Sequence, residues 1–207
     1  MSAPARINFK IYQGATFNEV LRWESSVRVY KPITAITKSA PLVVTTVAHD
    51  IPAEWRVRFT NILGMTELNS VDTYVGSSGT TLDGYHQVST VTSDTITINT
   101  INSLGFKAYV SGGIAEYNLP VDMTGYTARM QVRAKITSTD TILQLTTENS
   151  GIIIDNVNKT IKLNISATAT AALDFSTAVY SVEMVSSGGQ VTSFVGGNIT
   201  LVKEVTR

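Results

Sequence analysis

Two imidazoles, His49 and His86, stand far apart in this chain of 207 residues, and there is no cysteine. A zinc centre without thiolates needs imidazoles and carboxylates converging from several strands, and no local ligand spacing announces one. His49-Asp50 and Gly84-Tyr85-His86 read as turn residues. A serine nucleophile needs a partner imidazole and usually a Gly-x-Ser-x-Gly elbow; the elbow is absent, and Ser186-Ser187 reads as turn filler. The sixteen acidic residues are dispersed, so a glycosidase pair would have to be assembled by the fold and has no local signature. Neither a Gly-x-x-x-x-Gly-Lys-Ser/Thr loop nor a Gly-x-Gly-x-x-Gly turn occurs to cradle phosphate. The EF-hand pattern is missing too, although Asp83-Gly84 and Asp155-Asn156 carry oxygens that suit a solvated turn or an opportunistic calcium ion. The expectation is a protein that is not an enzyme, with no catalytic residue, no cofactor and no metal.

Composition points the same way. Sixteen Lys and Arg balance sixteen Asp and Glu, so no net field draws a polyanion and no nucleic-acid partner is expected. The nearest thing to a basic patch, Arg56 and Arg58 around Val57, reads as the solvent face of a strand. Charged residues are only 15% of the chain, and the Thr, Ser, Val, Ile and Asn that replace them suit strands, where β-branched side chains pack well. The absence of cysteine fits assembly in a reducing cytoplasm. The longest apolar run, Ile152 to Ile154, stops at Asp155, and Met1 to Arg6 has no apolar signal-peptide core, so neither membrane insertion nor secretion is expected.

The elements that must position any site are strands, because hydrophobicity alternates with period two along the chain. Ile7, Phe9 and Ile11 form one apolar face, as do Trp55, Val57 and Phe59. The same pattern recurs at Tyr126, Ala128, Met130 and Val132, at Ile161, Leu163 and Ile165, and at Tyr180, Val182 and Met184. Ser93-Asp94, Asn156 to Lys159 and Gly188-Gly189 supply hairpin turns between such runs. Only Ser166 to Phe175 predicts a helix, with Ser166 as N-cap before an Ala-rich stretch.

Pro32, Pro41 and Pro52 cannot donate to a central ladder and mark a change of module. Gly76-Ser77-Ser78-Gly79 and Asp83-Gly84 read as a surface loop, Gly112-Gly113 closes the region, and Pro120 restarts the outer domain. The expected division is an outer domain of residues 1–31 and 118–207 interrupted by an inserted domain of residues 32–117.

The stretch from Val121 to Arg133, which opens Val-Asp-Met-Thr-Gly-Tyr-Thr-Ala-Arg, resembles a family of small tailed-bacteriophage structural proteins. Further blocks agree in order: Ile11 to Phe17, Leu145 to Asn149, Ile165 to Leu173, and Gly197 to Leu201 running on to Thr206. The resemblance implies an all-β, immunoglobulin-like antiparallel β-sandwich. The interrupting part resembles the small β-barrel of the first catalytic-cysteine half-domain of ubiquitin-activating enzymes. That likeness rests on Ile33 to Pro41, Trp55 to Arg58, Gly64 to Asn69 and Tyr109 to Gly113. Without a thiolate, only the barrel shape would carry over.

From this resemblance follows the expected function: a non-enzymatic virion component, made in the host bacterial cytoplasm, that binds other tail or capsid subunits and forms a homo-oligomer. A tail, baseplate, collar or fibre-attachment adaptor is the first reading, a capsid decoration protein the alternative, and a receptor- or carbohydrate-binding module the third. Edges, loops and the arm Met1 to Arg6 would present the binding surface. Trp23 and Trp55 read as core rings, whereas Tyr85 and Tyr109 border loops and are the candidate contacts for a partner or a host surface glycan.

Overall fold

The structure, a computed structural model, describes residues 4–70 and 84–205. Its strands in chain order begin with β1 (Ala5–Arg6), β2 (Phe9–Tyr12), β3 (Phe17–Leu21), β4 (Glu24–Pro32), β5 (Ala35–Thr37), β6 (Leu42–Thr45) and β7 (Arg56–Leu63). They continue with β8 (Tyr85–Gln87), β9 (Thr90–Val91), β10 (Thr95–Ile98), β11 (Ser111–Pro120) and β12 (Thr127–Arg133). The last are β13 (Leu143–Thr146), β14 (Ile152–Asp155), β15 (Thr160–Ile165), β16 (Thr177–Val185) and β17 (Val191–Val202), with one short helix, α1 (Ala167–Ala171). The protein is all-β, with the chain divided into an outer unit, Met1–Trp23 with Val121–Arg207, and an inner unit, Glu24–Pro120.

The outer unit is a sandwich. One sheet runs in the order β1-β17-β16-β12-β13 with β2 also on β17, and the other in the order β14-β15-β3. Alternation decides what lies between them: Ala128, Met130 and Val132 of β12, Ala178, Tyr180, Val182 and Met184 of β16, and Ile161, Leu163 and Ile165 of β15 are all buried in one core. Each large apolar side chain removed from water in this way contributes about 1.5–3 kcal/mol. Two expectations need correction. The sandwich is not wholly antiparallel, because β1 and β2 both pair with β17 in parallel. Nor is Ile7 a core residue; at 36% exposure it lies where the chain leaves the ladder between β1 and β2. There its carbonyl accepts from the Tyr180 hydroxyl at 2.8 Å. The arm expected to project instead joins the sheet at Ala5 and Arg6, while Met1 to Ala3 lie outside the described residues.

The predicted helix is present but shorter. The Ser166 side chain caps it by accepting from Ala169 N–H, as its position before an Ala-rich run requires. It stops at Ala171, and the following carbonyls are taken up from outside: Gln13 Nε2 donates to Leu173 O at 2.8 Å and to Ala171 O at 3.2 Å. That satisfies acceptors that no further helical turn supplies.

The inner unit has two four-stranded sheets, β5-β6-β10-β9 and β4-β11-β7-β8, around a core that includes Trp55, Phe59, Tyr117, Leu42 and Ile96. It is not the closed barrel that resemblance implied. The chain turns from one sheet to the other at Ile33 and Thr34, whose N–H groups donate to Gly113 O and Thr45 O. Strands β9 and β8 nevertheless remain sheet edges among the described residues. The Gly76 to Asp83 loop expectation lies outside the described residues.

Register also moves the domain boundaries. Strand β4 pairs with β11 from Pro32 opposite Ile114 to Glu24 opposite Pro120, so breaks at 31/32 and 117/118 would cut a hydrogen-bonded ladder. The division falls instead at Trp23/Glu24 and Pro120/Val121. On the outer side Val121 N–H donates to Trp23 O at 3.0 Å, which leaves the two ends next to each other. Removing Glu24–Pro120 and joining Trp23 to Val121 through a short Gly-containing turn is therefore expected to leave a folded β protein. Circular dichroism and dispersed amide resonances check this, and a random-coil spectrum would refute it.

Both histidines differ from the turn residues expected. His49 is 2% exposed; its Nδ1 accepts from Ile51 N–H at 2.9 Å and its Nε2 lies 3.2 Å from Thr95 O, so one ring nitrogen accepts and the other donates in a neutral imidazole. His86 lies within β8 and stacks on Phe59, and burial lowers its pKa. Tyr117, 1% exposed, donates its hydroxyl to His49 O, and burial pushes its pKa up to about 12. An acid whose folded pKa is raised stabilises the fold only while the unfolded phenol also keeps its proton. Stability of this unit is thus expected to fall from about pH 10 upward by roughly 3 kcal/mol, and Tyr117→Phe should flatten that limb in denaturant titrations.

Candidate functional site

Tyr85, one of the two candidate contact residues, stands in a cross-strand row that the sequence does not reveal. On β8 it is opposite Arg58 of β7, which is opposite Glu116 of β11, which is opposite Tyr30 of β4. Val57, Phe59, Ala115 and Tyr117 alternate with these positions and fill the core, so the row occupies the other face of the sheet. Glu116 is only 4% exposed because it lies between Arg28, 2.5 Å away, and Arg58, 3.2 Å away. The neighbouring Arg56 pairs with Glu24, which also accepts from Asn118 Nδ2 at 2.9 Å. The Arg56 guanidinium sits 5.0 Å from the centre of the Tyr85 ring, and Glu116 raises the pKa of Arg28.

The strand-face reading of Arg56 and Arg58 therefore holds, but neither is a free cation. Arg58 is matched by Glu116 of the adjacent β11, and Arg56 by Glu24 of β4, two strands away in the sheet. Glu116→Ala, which takes one carboxylate from two arginines, is expected to destabilise the protein by about 2 kcal/mol, with Glu116→Gln costing less. Urea unfolding of the two variants checks the order.

Tyr109, the other candidate, is engaged in a different way. It packs against the inner core, and its hydroxyl donates towards Gly112 O at 2.9 Å and Ile33 O at 3.2 Å. It fastens the turn into β11 and shares no row with Tyr85. Of the core rings, Trp55 is fully buried, and Trp23 packs edge-on to Tyr126. The turn oxygens at Asp155 and Asn156 are likewise used locally. Asp155 accepts from Val157 and Asn158 N–H, and Asn156 donates to Asp122 and accepts from Met123 N–H.

The outer unit carries a groove of about 610 Å³ across the solvent face of its main sheet. Its floor follows another four-strand row: Arg6 of β1, Gly196 of β17, Ser181 of β16 and Gln131 of β12. Beside it Val179 is opposite both Asn198 and Arg133. A glycine and a serine at the centre of a sheet face leave a hollow where larger outward side chains would stand. One wall is Pro4 to Arg6, and Ile136, 87% exposed, stands at the other. Arg133 holds the Ile136 loop by donating to Ser138 O and Thr139 O, and its remaining Nη reaches Gln131 Oε1 at 2.8 Å. A second hollow of about 300 Å³ shares Val179 and Asn198. Gly196-Gly197 inside a strand is the sequence signal for close approach on this sheet, and reasoning from motifs passed over it.

Among the described residues no group of three or more His, Cys, Asp or Glu could hold a metal ion, and no helix is long and apolar enough to cross a membrane. No protein-family model matches the chain, and no curated protein is significantly similar to it.

Proposed function

We propose that this protein is a non-enzymatic structural component of a tailed-phage virion that works by protein–protein assembly, at a tail, baseplate or collar position or as a fibre-attachment adaptor. The observation that carries the assembly half is the groove on the outer sheet. Solvent faces of antiparallel sheets are normally polar, and an apolar concavity there is the kind of surface that a partner covers. The virion half rests on the ordered sequence blocks from Ile11 to Thr206 that resemble phage structural proteins. A glycan platform built from Tyr85 and Tyr109 is less well supported, since one ring is packed beside Arg56 and the other hydroxyl is spent on backbone carbonyls.

Mass spectrometry of purified particles from the phage that encodes this chain, with immunogold labelling of intact particles, tests the reading. Stoichiometric presence with label on the tail is the expected result. Label spread over the head would make it a capsid decoration protein, and absence from the particles would end the proposal.

A further inference from the structure

We infer that the groove on the outer sheet seats an extended, acidic segment of a partner chain, with Arg6 as the residue that binds its carboxylate. This rests on reading the groove as an assembly surface, and it goes further by naming what fits there.

The row from Arg6 through Gly196 and Ser181 to Gln131 crosses four adjacent strands. Three inter-strand steps span about 14 Å, the length of about four residues of extended chain. A volume of about 610 Å³ lies in the range of built ligand sites.

The apolar part is Pro4, Ala5, Val179 and Ile136, while the charged residues lining the groove are Arg6 and Arg133, with no acid among the lining residues. In a chain whose charges balance, this is a local excess of positive charge. Arg133 uses both terminal nitrogens on loop carbonyls and Gln131, so it contributes field and holds the wall. Arg6, exposed on the two-residue β1, is placed to present its fork to a carboxylate, the geometry in which Arg binds most strongly. An apolar side chain over Val179 and an Asp or Glu at Arg6, an even number of residues apart so that both point into the groove, satisfy both halves of the surface. A second copy offering the same face would set Arg6 and Arg133 against their own equivalents, which like-charge repulsion disfavours.

The test uses the isolated full-length chain and two capped peptides, Leu-Ser-Asp-Ser-Leu and Leu-Ser-Lys-Ser-Leu, which place Leu and the charged residue on one face when extended, followed by amide chemical shifts. With the acidic peptide, shifts are expected at Arg6, Gln131, Val179 to Ser181 and Gly196 to Asn198, saturating in the millimolar range. Arg6→Glu should weaken binding by about tenfold or more, and Ile136→Asp, at the rim of the same groove, should weaken it independently. Equal binding of the lysine peptide, shifts elsewhere on the molecule, or no shift at millimolar peptide would overturn the inference. So would sedimentation showing a dimer that Ile136→Asp disperses, which would make a second copy the occupant. Because this test needs no virus particle, its failure leaves the particle measurement standing, and absence from particles leaves a positive peptide result standing.

Discussion

Gly197→Ala is expected to destabilise the outer unit by about 3–5 kcal/mol and to detach β2 from the sheet. A Cβ at Gly197 would lie 1.9 Å from the Ile7 carbonyl oxygen and 2.8 Å from its carbon. Both are backbone atoms that cannot rotate away. Relief requires the segment around Ile7 to move off β17, and three hydrogen bonds lie within that segment. They are Ile7 N–H to Gly196 O at 3.1 Å, Asn198 N–H to Asn8 Oδ1 at 3.0 Å, and the Tyr180 hydroxyl to Ile7 O at 2.8 Å. At about 1 kcal/mol each, with partial exposure of Phe9 added, the sum reaches the stated range. Gly188→Ala is the control: its Cβ would meet nothing closer than Ser186 Oγ at 3.8 Å, and its effect should stay within about 0.5 kcal/mol. Equilibrium urea unfolding measures both. Faster amide exchange at β2 in Gly197→Ala would identify the detached strand, and equal stabilities of the two variants would refute the account.

Trp55→Ala is expected to cost about 4 kcal/mol and to unfold Glu24–Pro120 in a large fraction of molecules. The indole is fully buried, and its Nε1 donates to Asn118 O at 2.9 Å. Truncation therefore removes core volume and also orphans a carbonyl near the start of the unit's pairing with β4. Trp55→Phe keeps much of the volume but loses the donor, so it should cost less. Limited proteolysis reads the outcome: new cleavage sites should appear within Glu24–Pro120, while Val121–Arg207 keeps its protection through its own core and ladders. Cleavage spread evenly over both units would contradict two separate cores.

Much of the fold was legible from alternation and turn chemistry. Val57 and Phe59, Met130 and Val132, and Leu163 and Ile165 were placed inward by period two alone, and the structure buries each of them. The Ser166 cap was readable because capping is decided within four residues. The hairpins at Ser93-Asp94 and Asn156 to Lys159 were readable for the same reason, and both turns are present. Ile7 was misread because alternation cannot show where a strand leaves its ladder. His49 and His86 depart from the turn reading because the burial of one and the strand pairing of the other depend on distant parts of the chain.

The candidate surfaces were less legible, for a physical reason. Tyr85 and Arg58 were visible as residues, but Glu116 and Tyr30 reach them only through long-range pairing of β4, β11, β7 and β8. Arg6 meets Gly196, Ser181 and Gln131 across separations that no local pattern encodes. Neighbouring residues alone dictate the local layer: strands, turns, one capped helix, and the absence of thiol chemistry. The strand order, the parallel docking of β1 and β2 on β17, the open inner sheets, and the rows that create a paired charge cluster and a groove emerge from long-range packing. Local preference acts through neighbours along the chain, whereas strand registers and the surfaces they build are selected by which apolar faces can be buried together.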